Sequence, residues 1–447
     1  MQPSTRETLA GAASRVVEHA TCLGCGCACD DIVVVVADER IAEARHACAL
    51  GVAWFGDGDL PSRCLVRGRD TSLEEALDEV AELLWRAGAP LVYLAPELSC
   101  EAQREGIALA DALHATLDSV TSDSARASLL AAQERGRASA TLGEIRNRAD
   151  VVLFWGVDPA ARYPRYTSRY APEPAGLYLP DGRRSRVVVA VDVGAAHGPA
   201  DADLRVIVSP DDEVTTLIAL RAIVTSTARV GGARPESAPW ARARELATPL
   251  LDARYAVIVH DAESSTGDDP DCADALIALA QALNGPTRCA LSTLRAGGNR
   301  SGADAVATSQ TGYPTAIDFA RGYPRYRPYD GTADARIPLG EADALLVIGA
   351  AALIPVTLTT LLPYPLHALI GPRASESVLA TTAVIVIDSG VAGIHEGGTA
   401  LRMDDVPLPL RPSLAGARET RRVVRAVRER VQVRRLREPG MSGGASP

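Results

Sequence analysis

Five of the nine cysteines in this 447-residue chain lie between Thr21 and Cys48: Cys22, Cys25, Cys27, Cys29 and Cys48. Cys22, Cys25, Cys29 and Cys48 are spaced Cys-x2-Cys-x3-Cys-x18-Cys. A tight glycine-bearing loop offers three sulfurs to one group and a distant fourth closes the cage, which is what a [4Fe–4S] cluster requires. Gly24 and Gly26 are expected to let the backbone turn so that neighbouring sulfurs converge. Zinc is the rival ligand. A structural zinc site more often shows two paired Cys-x2-Cys halves or histidine partners, whereas the second half here is a single cysteine. Free thiols are a third reading. Disulfides do not suit a chain whose N-terminus lacks a secretory pattern. Cys27 is a fifth sulfur and a spare ligand, so the fourfold assignment stays open on spacing alone.

Other polar loops could carry chemistry. Ligands of parallel α/β sheets gather at the carboxyl ends of strands. Gly156 and Asp158 follow one strand-like run and Asp192 ends another. Segments 297–302 (with Asn299), 309–314 (with Gln310, Thr311 and Gly312) and 393–404 (with Gly398 and Thr399) read as further loops. Their glycines allow backbone N–H groups to approach phosphates or a pterin, and their polar side chains supply hydrogen bonds. Segment 321–326, Arg-Gly-Tyr-Pro-Arg-Tyr, reads equally as an arginine-braced surface loop or a functional one. His197, His260 and His395 have no sequence-close metal-ligand partners and are expected to be structural. No Gly-x-Ser-x-Gly elbow, His-Glu-x-x-His helix or P-loop occurs.

The elements that must position these residues follow an α/β grammar. Residues 1–20 read as a lead-in ending in a short helix. Residues 31–36 are a β-branched strand, with 41–44 as its hairpin partner. Ser72 and Glu75 have capping-box spacing ahead of an apolar stripe running from Leu73 to Leu84. Strands are expected at 91–95, 117–120, 150–155, 186–192, 205–208, 255–260, 344–349 and 383–388. Helices are expected at 100–114 and 271–284. Apolar runs separated by helical patterns indicate βαβ units and a mostly parallel sheet. The expected organisation is a small Cys-rich domain (1–65), a first α/β lobe (66–210), a second lobe region (211–414) and a basic helical tail with a disordered end (415–447).

Composition narrows the class. The chain is 47% hydrophobic but only 4% aromatic, so small aliphatic side chains must fill its interior. It contains no lysine, and its formal net charge of −10 argues against nucleic acid as a general partner. No apolar run is long enough to span a bilayer, so a cytoplasmic protein without a membrane partner is expected. The basic segment 419–437 reads as a solvated face or subunit contact.

Taken together, several segments resemble the B subunit of formylmethanofuran dehydrogenase. They are the Cys loop with Asp30-Asp31-Ile32, residues 141–150 (Thr-Leu-Gly-Glu-Ile-Arg-Asn-Arg-Ala-Asp), 310–314 (Gln-Thr-Gly-Tyr-Pro), 318–326 (Asp-Phe-Ala-Arg-Gly-Tyr-Pro-Arg-Tyr) and 398–404 (Gly-Thr-Ala-Leu-Arg-Met-Asp). Their order covers almost the whole chain. The resemblance implies a molybdopterin-oxidoreductase-like fold, in which a small N-terminal iron–sulfur domain leads α/β lobes that hold a bis-pterin tungsten or molybdenum centre. In the active family CO2 is reduced to formate, which a partner subunit condenses onto methanofuran.

Two departures stand at the implied metal site. Active relatives carry a metal-ligating cysteine shortly before a helix ending in Gln, upstream of the Thr-Leu-Gly-Glu motif. Here no cysteine occurs between Cys100 and Cys272, and Ser124 occupies the position by spacing, ahead of Gln133. A serine hydroxyl is a poor ligand beside a thiolate. Asp192, expected to contact the pterin, is followed by Val193-Gly194-Ala195-Ala196 rather than a basic pair. This pattern is similar to the B subunit of the bacterial formyltransferase/hydrolase complex of tetrahydromethanopterin-linked C1 oxidation. There the A and D subunits handle formyl hydrolysis and transfer on a methanofuran-type carrier. The resemblance implies a complex-forming component, partnered by the A, C and D subunits, with the pterin metal lost and a [4Fe–4S] cluster retained. Its competitors are an active tungsten or molybdenum subunit that reduces CO2 or oxidises formate or formylmethanofuran, and a zinc-binding α/β module without a C1 role.

Overall fold

The computed structural model describes residues 14–226, 237–263, 269–349 and 368–437. The expected disordered end at 441–447 and the first part of the lead-in lie outside them. The chain opens with an antiparallel sheet of β1 (Arg15–Ala20), β2 (Ile32–Ala37) and β3 (Arg40–Arg45), followed by α1 (Ala49–Phe55). The valine run of β2 buries Ile32, Val34 and Val36 on one face, the alternation that a strand with one core face requires. The end of the lead-in is therefore a strand and not a short helix, because β2 supplies it with a hydrogen-bonding edge.

The chain then runs through β4 (Cys64–Val66), β5 (Arg69–Asp70), α2 (Leu73–Arg86), β6 (Pro90–Leu94), α3 (Cys100–Leu113), β7 (Thr116–Ser119), α4 (Val120–Ser124), α5 (Arg126–Arg135) and α6 (Leu142–Arg148). Ser72 caps α2 by accepting from the Glu75 N–H at 3.2 Å, as the spacing predicts. Next come β8 (Val151–Trp155), α7 (Pro159–Arg162), α8 (Tyr166–Arg169), β9 (Val187–Val193), β10 (Leu204–Val208), α9 (Glu213–Thr225), α10 (Ala238–Asp252), β11 (Ala256–Asp261), α11 (Pro270–Leu283) and β12 (Cys289–Leu294). The remainder holds α12 (Arg300–Thr311), β13 (Ile317–Asp318), β14 (Arg325–Tyr326), α13 (Ala333–Arg336), β15 (Ala344–Ile348), β16 (Ala368–Gly371), β17 (Ile385–Asp388), the hairpin β18 (Gly398–Leu401) and β19 (Pro407–Leu410), and a C-terminal helix, Thr420–Arg437.

Strand pairing nests one sheet inside another. β8–β12 form a five-stranded parallel sheet in the order β10-β9-β8-β11-β12. A nine-stranded sheet, β14-β13-β7-β6-β15-β16-β17-β4-β5, takes its strands from both sides of that segment. Its central five strands, β7-β6-β15-β16-β17, are parallel. The mixed α/β class with parallel sheets is as expected, but 66–210 and 211–414 are not units of sheet formation. Each contributes strands to both sheets, because β6 pairs with the distant β15 and β8 with β11.

The basic C-terminal helix is not a free tail. Val423, Val424, Val427 and Val431 are buried against α2 and α3 in the core of the large sheet. Its arginines meet acids on the same helices: Arg425 and Arg428 pair with Glu105, and Arg434 with Glu82 at 3.0 Å. One face of the helix is thus a packed, ion-paired seam, while the expected solvated face remains in the exposed Arg422, Arg425, Arg435 and Arg437.

Candidate functional site

The cysteine loop is closed by its own backbone. Cys22 N–H donates to the Cys29 carbonyl at 2.9 Å and Ala28 N–H to that of Cys25 at 3.1 Å. The Gly24 N–H points at the Cys22 sulfur, 3.3 Å away. Cys48 arrives from the far side as the residue preceding α1. Cys22, Cys25, Cys29 and Cys48 line one small cavity of about 10 Å³, bordered also by Ile32, Ala47, Leu50, Gly51 and Arg165. A Cβ on Gly51 would lie 3.4 Å from the Cys22 sulfur and 4.0 Å from that of Cys48, so this glycine keeps the cradle open. Cys27 is fully buried away from the cavity, hydrogen-bonded to Cys25.

Gly24 and Gly26 lie in the bend and turn of the loop, and they also serve a second purpose. Neither has a positive φ. A Cβ on Gly24 would stand 2.8 Å from the Leu50 carbonyl oxygen, and one on Gly26 only 2.0 Å from that of Arg295. They allow close backbone approach rather than a left-handed turn. The loop thereby seats directly on segment 295–298, and Gly298 N–H donates to the Leu23 carbonyl at 2.8 Å.

Burial pushes the Cys22 and Cys29 thiols up, while the hydrogen bond with Cys27 is the main influence holding Cys25 below the ordinary thiol value. Two arginines from α8 and the turn before it face this cluster of sulfurs. Arg165 forms a bidentate pair with Asp31 at 2.7 and 2.6 Å, and Arg169 reaches Asp31 at 2.9 Å and Asp30 at 3.0 Å. Among the described residues no group of three or more His, Cys, Asp and Glu is placed to hold a metal ion. Four thiols converging on one small cavity are instead the donor set that a polynuclear iron–sulfur group takes. These four residues could hold an iron–sulfur cluster.

Ser124 ends α4 at the carboxyl edge of β7. Its hydroxyl donates to the Val120 carbonyl at 2.8 Å and accepts from Arg300 Nη1 at 3.1 Å. Arg300 also pairs with Glu263 at 3.2 Å, and Glu263 pairs with Arg295 at 3.2 Å. Arg295 in turn meets Asp304 and donates to Thr121 Oγ1 at 2.9 Å. A chain of buried ion pairs thus lies where the carboxyl edges of the two sheets meet, with Ser124 as one of its acceptors. Buried charges must be paired in this way to offset their desolvation. The arrangement does not suit a metal centre at Ser124: its proton is given to the Val120 carbonyl and its oxygen is engaged by the Arg300 cation.

The remaining candidate residues do not converge on one site. Asp192 pairs with Arg205 at 2.6 Å and accepts from Gly198 N–H at 2.9 Å, with His197 Nδ1 3.4 Å away. Burial alone would raise its pKa, but these partners lower it. Gly156 lies beside it, donating to the Val191 carbonyl at 2.8 Å, while Asp158 caps α7 through Ala160 N–H. Asn299 is wholly buried as a brace: its amide nitrogen donates to the Leu98 carbonyl at 2.9 Å and its oxygen accepts from Leu401 N–H at 2.7 Å. Thr399 donates through its N–H and hydroxyl to Glu101 at 2.8 and 3.1 Å, and the adjoining Gly398 lies against the same carboxylate. The expected loops 297–302 and 309–314 are the two ends of α12, with Gln310 and Thr311 in its last turn and Gly312 as its left-handed C-cap at φ +87°. Segment 321–326 is braced by Arg325 and Arg327 on Asp318, and Tyr326 stacks on Tyr313 at 5.2 Å. His260 is buried against Thr293 at 2.9 Å, and His395 is bound between Val391 N–H and the Gly58 carbonyl.

The residues missed at sequence level are Arg165, Arg169, Glu263, Arg295 and Arg300. A signal for the first two was present. Residues 162–170 contain three Arg-Tyr pairs whose tyrosines, Tyr163, Tyr166 and Tyr170, are buried while the arginines reach Asp261, Asp31 and Asp30. The motif residues do meet in space: Leu142 N–H donates to Asp404 at 2.6 Å, and Met403 N–H to the Gly26 carbonyl at 3.1 Å.

Comparison with known proteins bears on this convergence. The B subunit of the tungsten-containing formylmethanofuran dehydrogenase 2 of Methanocaldococcus jannaschii is 33% identical over 414 residues, covering 89% of this chain and 93% of that one. The chain belongs to the family of formylmethanofuran dehydrogenase B subunits. The corresponding protein of Methanococcus maripaludis is 31% identical over 89% of the chain and 93% of its own length. The B subunit of the formyltransferase/hydrolase complex of Methylorubrum extorquens is 29% identical over 74% of the chain and 86% of its own length. Among solved structures, the formyltransferase/hydrolase complex of that organism, crystallised with methylofuran, contains a chain that superposes with a TM-score of 0.69 at 25% identity, covering 83% of this chain and 99% of that one. No family model matches the sequence. Like the rest of the fold, the family's shared motifs sit in a chain with no helix among the described residues long and apolar enough to cross a membrane.

Proposed function

We propose that this family member is the B subunit of a formyltransferase/hydrolase-type complex acting on a methanofuran-linked formyl group. On this reading it assembles with subunits of the A, C and D type in the cytoplasm, and formyl transfer and hydrolysis take place on those partners. The nested α/β sheets would be a molybdopterin-oxidoreductase-like scaffold led by an iron–sulfur domain. A [4Fe–4S] cluster would be held by Cys22, Cys25, Cys29 and Cys48, supplying one-electron chemistry when bound. The pterin-bound tungsten or molybdenum would be absent.

The observation that carries this is the state of Ser124. Its hydroxyl is engaged by Arg300 and Val120, inside the ion-pair chain of Glu263 and Arg295. A further support is Asp192, whose carboxylate is taken by Arg205. Metal analysis and a visible spectrum of the anaerobically purified complex test the reading. Iron at about four per chain without tungsten, molybdenum or pterin is the expected result. Tungsten or molybdenum at about one per chain overturns it, and colourless protein with stoichiometric zinc overturns the cluster assignment.

A second reading is an active tungsten or molybdenum subunit that reduces CO2 or oxidises formate or formylmethanofuran. Two observations favour it: the Cys22, Cys25, Cys29 and Cys48 cavity is kept whole, and identity to the tungsten-containing relatives, at 33% and 31%, exceeds the 29% to the formyltransferase/hydrolase relative. Formate-dependent dye reduction by the purified complex decides between the two.

A further inference from the structure

We propose that Arg165 and Arg169 tune the reduction potential of the cluster held by the four cysteines, and that Asp30 and Asp31 are the positioning residues that aim them. This rests on the cluster assignment proposed above and goes beyond it.

The geometry is that of an oriented clamp. Arg165 is itself part of the cavity wall, beside Cys22, Cys25, Cys29 and Cys48, whereas Asp30 and Asp31 are not. Arg169, the last residue of α8, is held by Asp30 and Asp31, and its positive charge is among the influences that lower the Cys29 thiol against the effect of burial. Both guanidiniums are mostly buried, at 19% and 21% side-chain exposure, while the carboxylates behind them are about twice as open, at 38% and 41%. Two arginines and two aspartates cancel in net charge, but their order does not cancel: the positive ends face the sulfurs and the negative ends face solvent. Solvent screens the carboxylates more than it screens the guanidiniums.

The clamp is also rigid. Asp31 accepts from both arginines, and Arg169 lies over the ring of Tyr170 at 5.4 Å. Arg402 stacks on the same ring at 5.5 Å and is anchored by Asp404. Planar guanidiniums held in this way lose little further freedom when the charge in front of them changes.

A [4Fe–4S] cluster held by these four cysteines would gain one negative charge when a low-potential one-electron donor reduced it, with no bond broken. A fixed positive potential beside the sulfurs favours the more negative state and so raises the potential. A clamp that merely tied the loop to α8 would affect iron retention and stability without moving the potential.

The test is a mediator-coupled redox titration of the full chain, purified anaerobically with its accompanying subunits, reading cluster absorbance and the EPR signal of the reduced form. Arg169→Gln is expected to shift the midpoint to lower potential at unchanged iron content, and Arg169→Lys to return most of the shift. If the unaltered protein holds no four-iron cluster, the cluster assignment itself fails and takes this inference with it. If the unaltered protein holds the cluster and Arg169→Gln titrates at the same midpoint, only the inference is overturned. Should Arg169→Gln lose iron, Arg165→Gln, which removes the charge in the cavity wall itself, is read in the same way. Loss of iron from both glutamine variants overturns tuning in favour of a purely structural clamp.

Discussion

Arg300 Nη1 donates to Ser124 Oγ across 3.1 Å, which joins α12 to the end of α4 at the position the family resemblance assigns to a metal ligand. Arg300 cannot leave cheaply, because Glu263 would be stranded with one cation fewer in a buried setting. Ser124→Cys should therefore bind no tungsten or molybdenum, even when the chain is produced with the metal and pterin available. It should also unfold at slightly lower denaturant, by about 1 kcal/mol, since a thiol is the weaker hydrogen-bond acceptor. Metal content and urea midpoints check both parts. Uptake of either metal would mean that the thiol is the single missing component.

Cys27 is fully buried and does not line the cavity that Cys22, Cys25, Cys29 and Cys48 share. Substituting Cys22, Cys25, Cys29 or Cys48 by Ser should abolish or sharply reduce bound iron and the brown colour of the purified protein. Cys27→Ser should leave iron content near that of the unaltered chain. Iron loss in Cys27→Ser as severe as in the other four would show that the ligand set is wrong.

Much of this region was legible because its signals are local. The spacing of the cysteines, the valine run of β2 and the Ser72 cap depend on residues close in sequence, and each appears where its pattern puts it. The nesting of the sheets was hidden because it depends on β6 meeting β15, and nothing in either apolar run names its partner. Helix α12 was mistaken for two loops because Ala, Ser, Thr and Gly dominate it, so it carries only a weak apolar stripe between its Asn299 and Gly312 ends. The ion-pair chain was hidden for a compositional reason: with every cation an arginine, Arg295 and Arg300 do not stand out until Glu263 is seen between them.

Gly26 offers a test of how the cysteine loop is seated. An added Cβ would lie 2.0 Å from the Arg295 carbonyl oxygen and 3.0 Å from Met403 Sδ, and backbone cannot give way as a flexible side chain can. Gly26→Ala should cost on the order of 1–3 kcal/mol by overpacking and should lower iron retention as well, because the loop that presents three of the sulfurs must lift. Gly68→Ala is the control for a crowded contact: nothing lies within 4 Å of its Cβ, although its φ of +75° adds backbone strain of its own. A Gly26→Ala protein with unchanged stability and iron would show that the loop is not pressed against segment 295–298.

Asp118 and Asp123 give the fold a pH dependence of definite sign. Burial is the main cause in both, pushing Asp118 up to about 6 and Asp123 up to about 7. Around Asp123 stand Asp118 and Asp334, which raise it further, and Tyr93 and Arg126, which lower it; the Tyr93 hydroxyl donates to it at 2.8 Å. A carboxyl whose folded pKa is raised binds more protons folded than unfolded between the two values. The stability it contributes is therefore complete below the unfolded value near 3.8 and is lost as pH rises toward 7. Asp123→Asn keeps an acceptor for Tyr93 and removes the charge. It should raise the unfolding midpoint at pH 8 relative to the unaltered chain, on the order of a few kcal/mol at most, and change it little at pH 4. Thermal or urea unfolding at the two pH values measures the difference. An equal effect at both would mean that the substitution acts through packing and that Asp123 is already ionised at pH 4.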